Sequence, residues 1–159
     1  MNKYYKLLKN ILNNGDSQKN KKGDIIYLVN QKLSFNPTEL KRLFKKHKIP
    51  KKLLVDELEL YMKGETLVDK YNEKNIGWWD YCSPNMINTY PTYFKKLPKL
   101  IEKINKEKRP SKNYVLFIGE TDIYTSQLPC LSLIQFQIVK KKLWITVYQR
   151  SADSNLGLP

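Results

Sequence analysis

Cys130 and Arg150 bracket the stretch CLSLIQFQIVKKKLWITVYQR. Between them lie two runs rich in β-branched and aromatic residues, 131–139 and 143–150, joined by Lys140-Lys141-Lys142. That pattern predicts an antiparallel hairpin, which would bring its two ends into one region of a sheet. A guanidinium beside a thiol favours the thiolate, the nucleophilic form. Arg150 with Ser151 also offers a rigid two-donor fork and a hydroxyl, which suits a phosphate. Residue types alone make this a candidate site for a phosphorylated substrate attacked by cysteine. A buried structural cysteine is the competing reading.

Other chemistry is thin. Cys82 sits in an aromatic loop with no nearby base and reads as structural or incidental. His47 is the only histidine and lies in the basic run KRLFKKHKIP, which excludes His-based triads and His-rich metal sites. KNKKG (19–23) is far from a phosphate-binding glycine loop. No metal ligand set is expected.

The elements that must position the pair follow from periodicity. Apolar residues at Tyr4, Leu7, Leu8, Ile11 and Leu12 predict a helix over 3–14 that stops at Gly15. SQKNKKG (17–23) reads as a polar loop and 24–35 as a strand or hairpin. Lys51–Lys63 reads as a helix stopped by Gly64, and Thr66 is a candidate cap for a short helix over 67–73. Residues 75–91 read as an aromatic loop and 92–107 as a Lys-rich helix. Three strands follow at 114–118, 131–139 and 143–150. This is one α+β domain over 1–159, without repeats or linkers.

Composition agrees. The 159 residues carry a formal net charge of +14, nearly all from lysine, and are 41% hydrophobic, which argues against wholesale disorder. No stretch approaches the roughly 18 apolar residues of a membrane span. The opening segment MNKYYKLLKNILNNGD lacks the apolar core of a leader. Two distant cysteines suit a reducing, cytoplasmic setting, or a host cytoplasm if the source is viral. The codon bias of an AT-rich genome is one reading of the lysines, and an anionic partner, either nucleic acid or a phosphorylated small molecule, is the other. Nonspecific, salt-sensitive attraction to nucleic acid follows in any case.

The segment 128–159 resembles the active-site region of thymidylate synthases and their pyrimidine hydroxymethylase relatives. That family carries Pro-Cys-His, Gln-Phe, Tyr-Gln-Arg-Ser-x-Asp and Leu-Gly-Leu-Pro. Here stand Pro129-Cys130, Gln135-Phe136, Tyr148-Gln149-Arg150-Ser151-Ala152-Asp153 and Leu156-Gly157-Leu158-Pro159. Upstream, residues 56–80 resemble the family's Glu-Leu-Leu-Trp-Phe-Leu-x-Gly-Asp-Thr and Ile-Trp-Asp. The resemblance implies a twisted, mostly antiparallel sheet with helices packed on one side, and a homodimer formed through that sheet. It implies Cys130 as nucleophile, Glu57 as organiser of water for proton transfers, and Arg150 as phosphate ligand that also favours the thiolate. Gln149, Ser151, Lys112 and Lys22 join the phosphate side. Trp79, Asp80, Asp153, Leu156 and Gly157 fall on the folate side, and Tyr90 on the tyrosine of the next loop. The co-substrate would be 5,10-methylenetetrahydrofolate, and the partner a pyrimidine deoxynucleotide monophosphate. The expected reaction is one-carbon transfer to C5, dUMP to dTMP. Hydroxymethylation of dUMP or dCMP is one alternative, and a non-catalytic truncated or split-gene fragment is another.

Departures from the pattern matter. Leu131 replaces the histidine after the cysteine and removes a polar member of the site's water network. The family's paired arginines, supplied across the dimer, fall at Ser111-Lys112-Asn113. Charge-assisted bonds contribute about 1.5–3 kcal/mol each, so losing one or two costs from about tenfold to about twenty-thousandfold in affinity. Ser154-Asn155 stands where synthases carry bulkier apolar residues. Finally, the chain stops at Pro159, where the family continues into the segment that reads the pyrimidine edge. A domain incomplete at its C-terminus is the expectation.

Overall fold

In the computed structural model, the described residues are 3–20, 23–46, 48, 50–82, 87, 89–119 and 129–151. Contacts divide the described residues into two compact units, one within 3–48 and one within 50–151.

The first unit holds α1 (Lys3–Asn14), the antiparallel pair β1 (Asp16–Asn20) and β2 (Gly23–Tyr27), and α2 (Pro37–Lys46). The apolar stripe of α1 buries Tyr4 and Leu7, as its spacing predicts. Gly15 turns the chain from α1 into β1. A Cβ there would lie 2.5 Å from the Ile11 carbonyl oxygen and 2.6 Å from Ile26 Cγ2, so only glycine fits. Two expectations are corrected. The polar segment from 17 is a strand, paired to β2 by backbone bonds that do not depend on side-chain polarity. The strand beginning near 24 ends at Tyr27, and 31–36 has no regular structure. Helix α2 lies in the run read only as basic. Asn36 and Glu39 close a reciprocal cap at its start, with Asn36 N–H donating to Glu39 (2.8 Å) and Glu39 N–H to Asn36 Oδ1 (2.9 Å). The Lys3 ammonium beside Glu39 holds that carboxyl below its usual range.

The second unit holds α3 (Lys51–Lys63), α4 (Val68–Asn72), a 3-10 turn (Gly77–Trp79), α5 (Tyr90–Phe94), α6 (Leu97–Glu107), and β3 (Val115–Phe117), β4 (Leu131–Val139) and β5 (Lys142–Gln149). Gly64 ends α3 in the left-handed region, at φ 75°, and Gly64 and Glu65 N–H cap the last carbonyls. Thr66 is not the cap of α4. Leu67 occupies that position, and Glu65 accepts the Thr66 and Leu67 N–H groups instead. The helix expected over 92–107 is two helices. α5 ends before Pro98, which lacks the N–H that a continuous helix would need.

β3, β4 and β5 form one antiparallel sheet in that order. Lys140 and Lys141, both at positive φ, make the two-residue turn of the expected hairpin. Alternation assigns the faces. Leu116, Ile134 and Phe136 lie on one face and join the core with Tyr71, Ile76, Ile87 and Tyr114. Val115, Phe117, Leu133, Trp144 and Tyr148 lie on the other, where Phe117, Trp144 and Tyr148 are exposed. The architecture is α+β with antiparallel sheets.

Candidate active site

Cys130 and Arg150 meet as the hairpin predicts. Arg150 N–H donates to the Cys130 carbonyl at 2.9 Å, which continues the β4–β5 ladder one step past the Leu131–Gln149 pair. Arg150 Nε donates to the Pro129 carbonyl at 2.9 Å. The guanidinium is thereby tied to the backbone of the residue that precedes Cys130. Cys130 is exposed, and so are Gln149, Arg150 and Ser151. Cys82 differs on this point, because it is buried and burial pushes its thiol up. Only Cys130 is available for attack on a substrate.

Glu57 lies on α3 and is half-buried. Its Oε1 accepts three bonds: from Tyr61 Oη at 2.5 Å, Trp79 Nε1 at 2.7 Å and Trp78 Nε1 at 2.8 Å. Tyr61 is one helical turn along α3, so it meets Glu57 directly. The two indoles come from the 3-10 turn. Burial, and then the adjacent Glu57 carboxylate, raise the Tyr61 phenol far above its ordinary value. The phenol therefore remains a donor at any physiological pH.

Tyr90 joins the two halves. Its ring centroid lies 5.6 Å from that of Tyr61 and 6.0 Å from that of Trp79. Its hydroxyl oxygen accepts the Cys130 N–H at 3.1 Å and, more weakly, the Leu131 N–H at 3.5 Å. Burial raises the Tyr90 phenol, and the two backbone N–H groups oppose that shift. Glu57, Tyr61, Trp79, Tyr90, Cys130 and Arg150 thus form one connected set.

Two of the expected residues stand apart. Lys112 lines a hollow with Gln137, Ile138 and Val139, at the far end of β4 from Cys130. At about 3.3 Å per residue the two ends of that strand lie more than 20 Å apart. Within one chain, Lys112 does not reach Arg150. Asp80 is exposed beside the cluster and accepts from Asn72 Nδ2 at 2.8 Å. Lys22, His47, Asp153, Leu156 and Gly157 lie outside the described residues. Among the described residues, no cluster of three or more His, Cys, Asp or Glu could hold a metal. No helix among them is long and apolar enough to cross a membrane.

Two members of the cluster were not anticipated, Tyr61 and Trp78. The i, i+4 spacing of Glu57 and Tyr61 on a predicted helix could have revealed the first. Nothing local signals Trp78, whose indole reaches back 21 residues to Glu57.

The family model described as thymidylate synthase matches residues 2–159. The chain is similar to the thymidylate synthase of Buchnera aphidicola subsp. Schizaphis graminum (strain Sg). Identity is 33% over 181 aligned positions, which take in all of this chain and 66% of the relative. The chain therefore spans just under two thirds of that protein's length.

Proposed function

This chain belongs to the thymidylate synthase family, and we propose that it contributes to methyl transfer to C5 of dUMP. The observation that carries the reading is the connected set itself, in which an exposed thiol, an oriented guanidinium and a hydrogen-bonded carboxylate are linked through Tyr90.

Cys130 Sγ adds to C6 of the pyrimidine, and the C5–C6 π pair moves onto C5 and the O4 carbonyl. C5 becomes the nucleophile, and one difficult substitution divides into easier steps. Arg150, Gln149 and Ser151 hold the phosphate at the end of β5. Glu57 positions water for proton movement at O4 and C5. When bound, methylenetetrahydrofolate as co-substrate would supply both the one-carbon unit and the hydride that reduces it to methyl, while C5 gives up its proton and Cys130 Sγ leaves as the C5–C6 double bond re-forms. The exposed rings of Trp78 and Tyr81 beside buried Trp79 suit its flat pterin, and Asp80 offers an exposed carboxylate next to them. Asp153, Leu156 and Gly157 are proposed for the same side.

Lys112 and Lys22 are proposed as phosphate ligands, Lys112 from the second subunit of a homodimer. Its distance from Arg150 within one chain favours that route. The exposed apolar face bearing Phe117, Trp144 and Tyr148 is the surface proposed for the dimer. Chain 1–159 is read as a single domain acting in a reducing, cytoplasmic compartment. Leu131 and Ser154-Asn155 lean toward hydroxymethylation, and the similarity to a thymidylate synthase outweighs them in favour of methylation.

Release of tritium from 5-tritiated dUMP in the presence of methylenetetrahydrofolate tests the reading. Release that disappears in Cys130→Ser supports it. No release from the purified chain refutes catalysis by this polypeptide.

A further inference from the structure

The three donors on Glu57 are more than the family's pattern supplies. DELELYMKGET set against Glu-Leu-Leu-Trp-Phe-Leu-x-Gly-Asp-Thr places Tyr61 on the pattern's phenylalanine. GWWD set against Ile-Trp-Asp places Trp78 on its isoleucine. Neither of those residue types can donate a hydrogen bond from its side chain. Only Trp79 is shared with the pattern. This chain therefore adds two polar hydrogens to the carboxylate, while Leu131 removes a polar side chain next to Cys130.

A carboxylate oxygen has about two lone-pair directions. Donors at 2.5, 2.7 and 2.8 Å fill those of Oε1. Among the described residues, no donor reaches Oε2. Tyr61 is only 8% exposed and packs against Tyr71, Trp79, Tyr90 and Phe94, so its hydroxyl has little freedom to turn elsewhere. We infer that Tyr61 and Trp78 are positioning residues that clamp Glu57 through Oε1 and leave Oε2 as the oxygen that handles the proton. This inference rests on the role proposed above for Glu57 in proton transfer. The clamp itself is a matter of geometry and can be tested apart from catalysis.

The three indole N–H groups of the 15N-labelled chain provide the test, with Trp144, which lies on β5 outside the cluster, as internal reference. Tyr61→Phe keeps the ring and removes only the hydroxyl. It is expected to move the Trp78 and Trp79 indole signals together, because two donors then share the oxygen that three shared before. The Trp144 signal is expected to stay. If the Phe variant leaves all three signals in place, Tyr61 is a packing residue and the inference is overturned. Should that variant fail to fold, indole hydrogen exchange in the unmodified chain decides. Exchange at Trp78 and Trp79 about tenfold or more slower than in the urea-unfolded chain supports the clamp, and equal rates overturn it. In the tritium assay, Tyr61→Phe is expected to lower kcat about tenfold and leave KM for dUMP within about twofold. An unchanged kcat overturns the positioning role. Absence of tritium release from the unmodified chain would refute the catalytic reading instead, and the spectra would still decide the clamp.

Discussion

The two halves of the site are held by different forces. Cys130 and Arg150 are placed by a backbone ladder, where one N–H to carbonyl bond closes the hairpin and a second, from the guanidinium, grips the Pro129 carbonyl. Glu57 is placed by side chains, from one residue on its own helix and two from a turn more than twenty residues away. A ladder-held group tolerates side-chain exchange, because its position is fixed by register. A clamp-held group depends on each donor and on the packing of the aromatic residues behind it. Substitutions should therefore act on chemistry in the first half and on placement in the second.

The largest expected effect falls on the ladder side and leaves geometry alone. Cys130→Ser should lower tritium release by about a thousandfold or more, since the hydroxyl is a far weaker nucleophile. The indole signals of Trp78 and Trp79 should not move. If they do, the two halves are coupled more tightly than the contrast allows.

Glu57→Gln comes next. It keeps the shape of the side chain and removes the charge, so release should drop about a hundred- to a thousandfold. Here both indole signals should shift toward their positions in the urea-unfolded chain, because the charge-assisted character of their bonds is lost. Unmoved signals would mean that the carboxylate is not their acceptor in solution.

Arg150→Lys keeps the charge and loses the fork. The β4–β5 register should survive, since its bond uses the main-chain N–H. Affinity for dUMP, read by titration calorimetry, should fall about ten- to a hundredfold. A change in overall stability instead would show that the guanidinium is structural.

The smallest effect sharpens the contrast through pH. Burial raises the phenols of Tyr61, Tyr71 and Tyr90 above their ordinary value of about 10. Below that value both folded and unfolded phenols are neutral, and the stabilisation is complete. Above it the unfolded chain releases phenolic protons that the folded chain retains, so stability falls as pH rises. Urea midpoints should be level from pH 7 to 8, dip slightly near pH 9 as the unfolded chain begins to lose the Cys82 proton, and decline clearly by pH 11, with a smaller decline in Tyr61→Phe. A midpoint that stays level to pH 11 would show that the aromatic cluster is open to solvent.

Much of the fold was legible. The stripe of α1, the span of α3 with its glycine stop, and β4 appeared in the sequence because each is a local periodicity with its own punctuation. α2 was missed because its lysines mask a short apolar face that buries Leu43. β1 was missed because a polar strand gives no hydrophobic alternation. In the site, the nucleophile segment was legible and the clamp was not.

The sequence by itself determined the hairpin that joins Cys130 to Arg150, since both its strands and its turn are encoded within one continuous stretch. It also determined Glu57 as a candidate, through the motif around it. Only the tertiary structure decided that Trp78 and Tyr61 share one oxygen of that carboxylate, that Tyr90 accepts the Cys130 N–H, and that Lys112 lies at the wrong end of β4 to serve its own chain. The physical reason is range. Backbone periodicity reports what neighbouring residues do together, whereas convergence of side chains from separate elements leaves no period in the chain and is fixed only when the core packs.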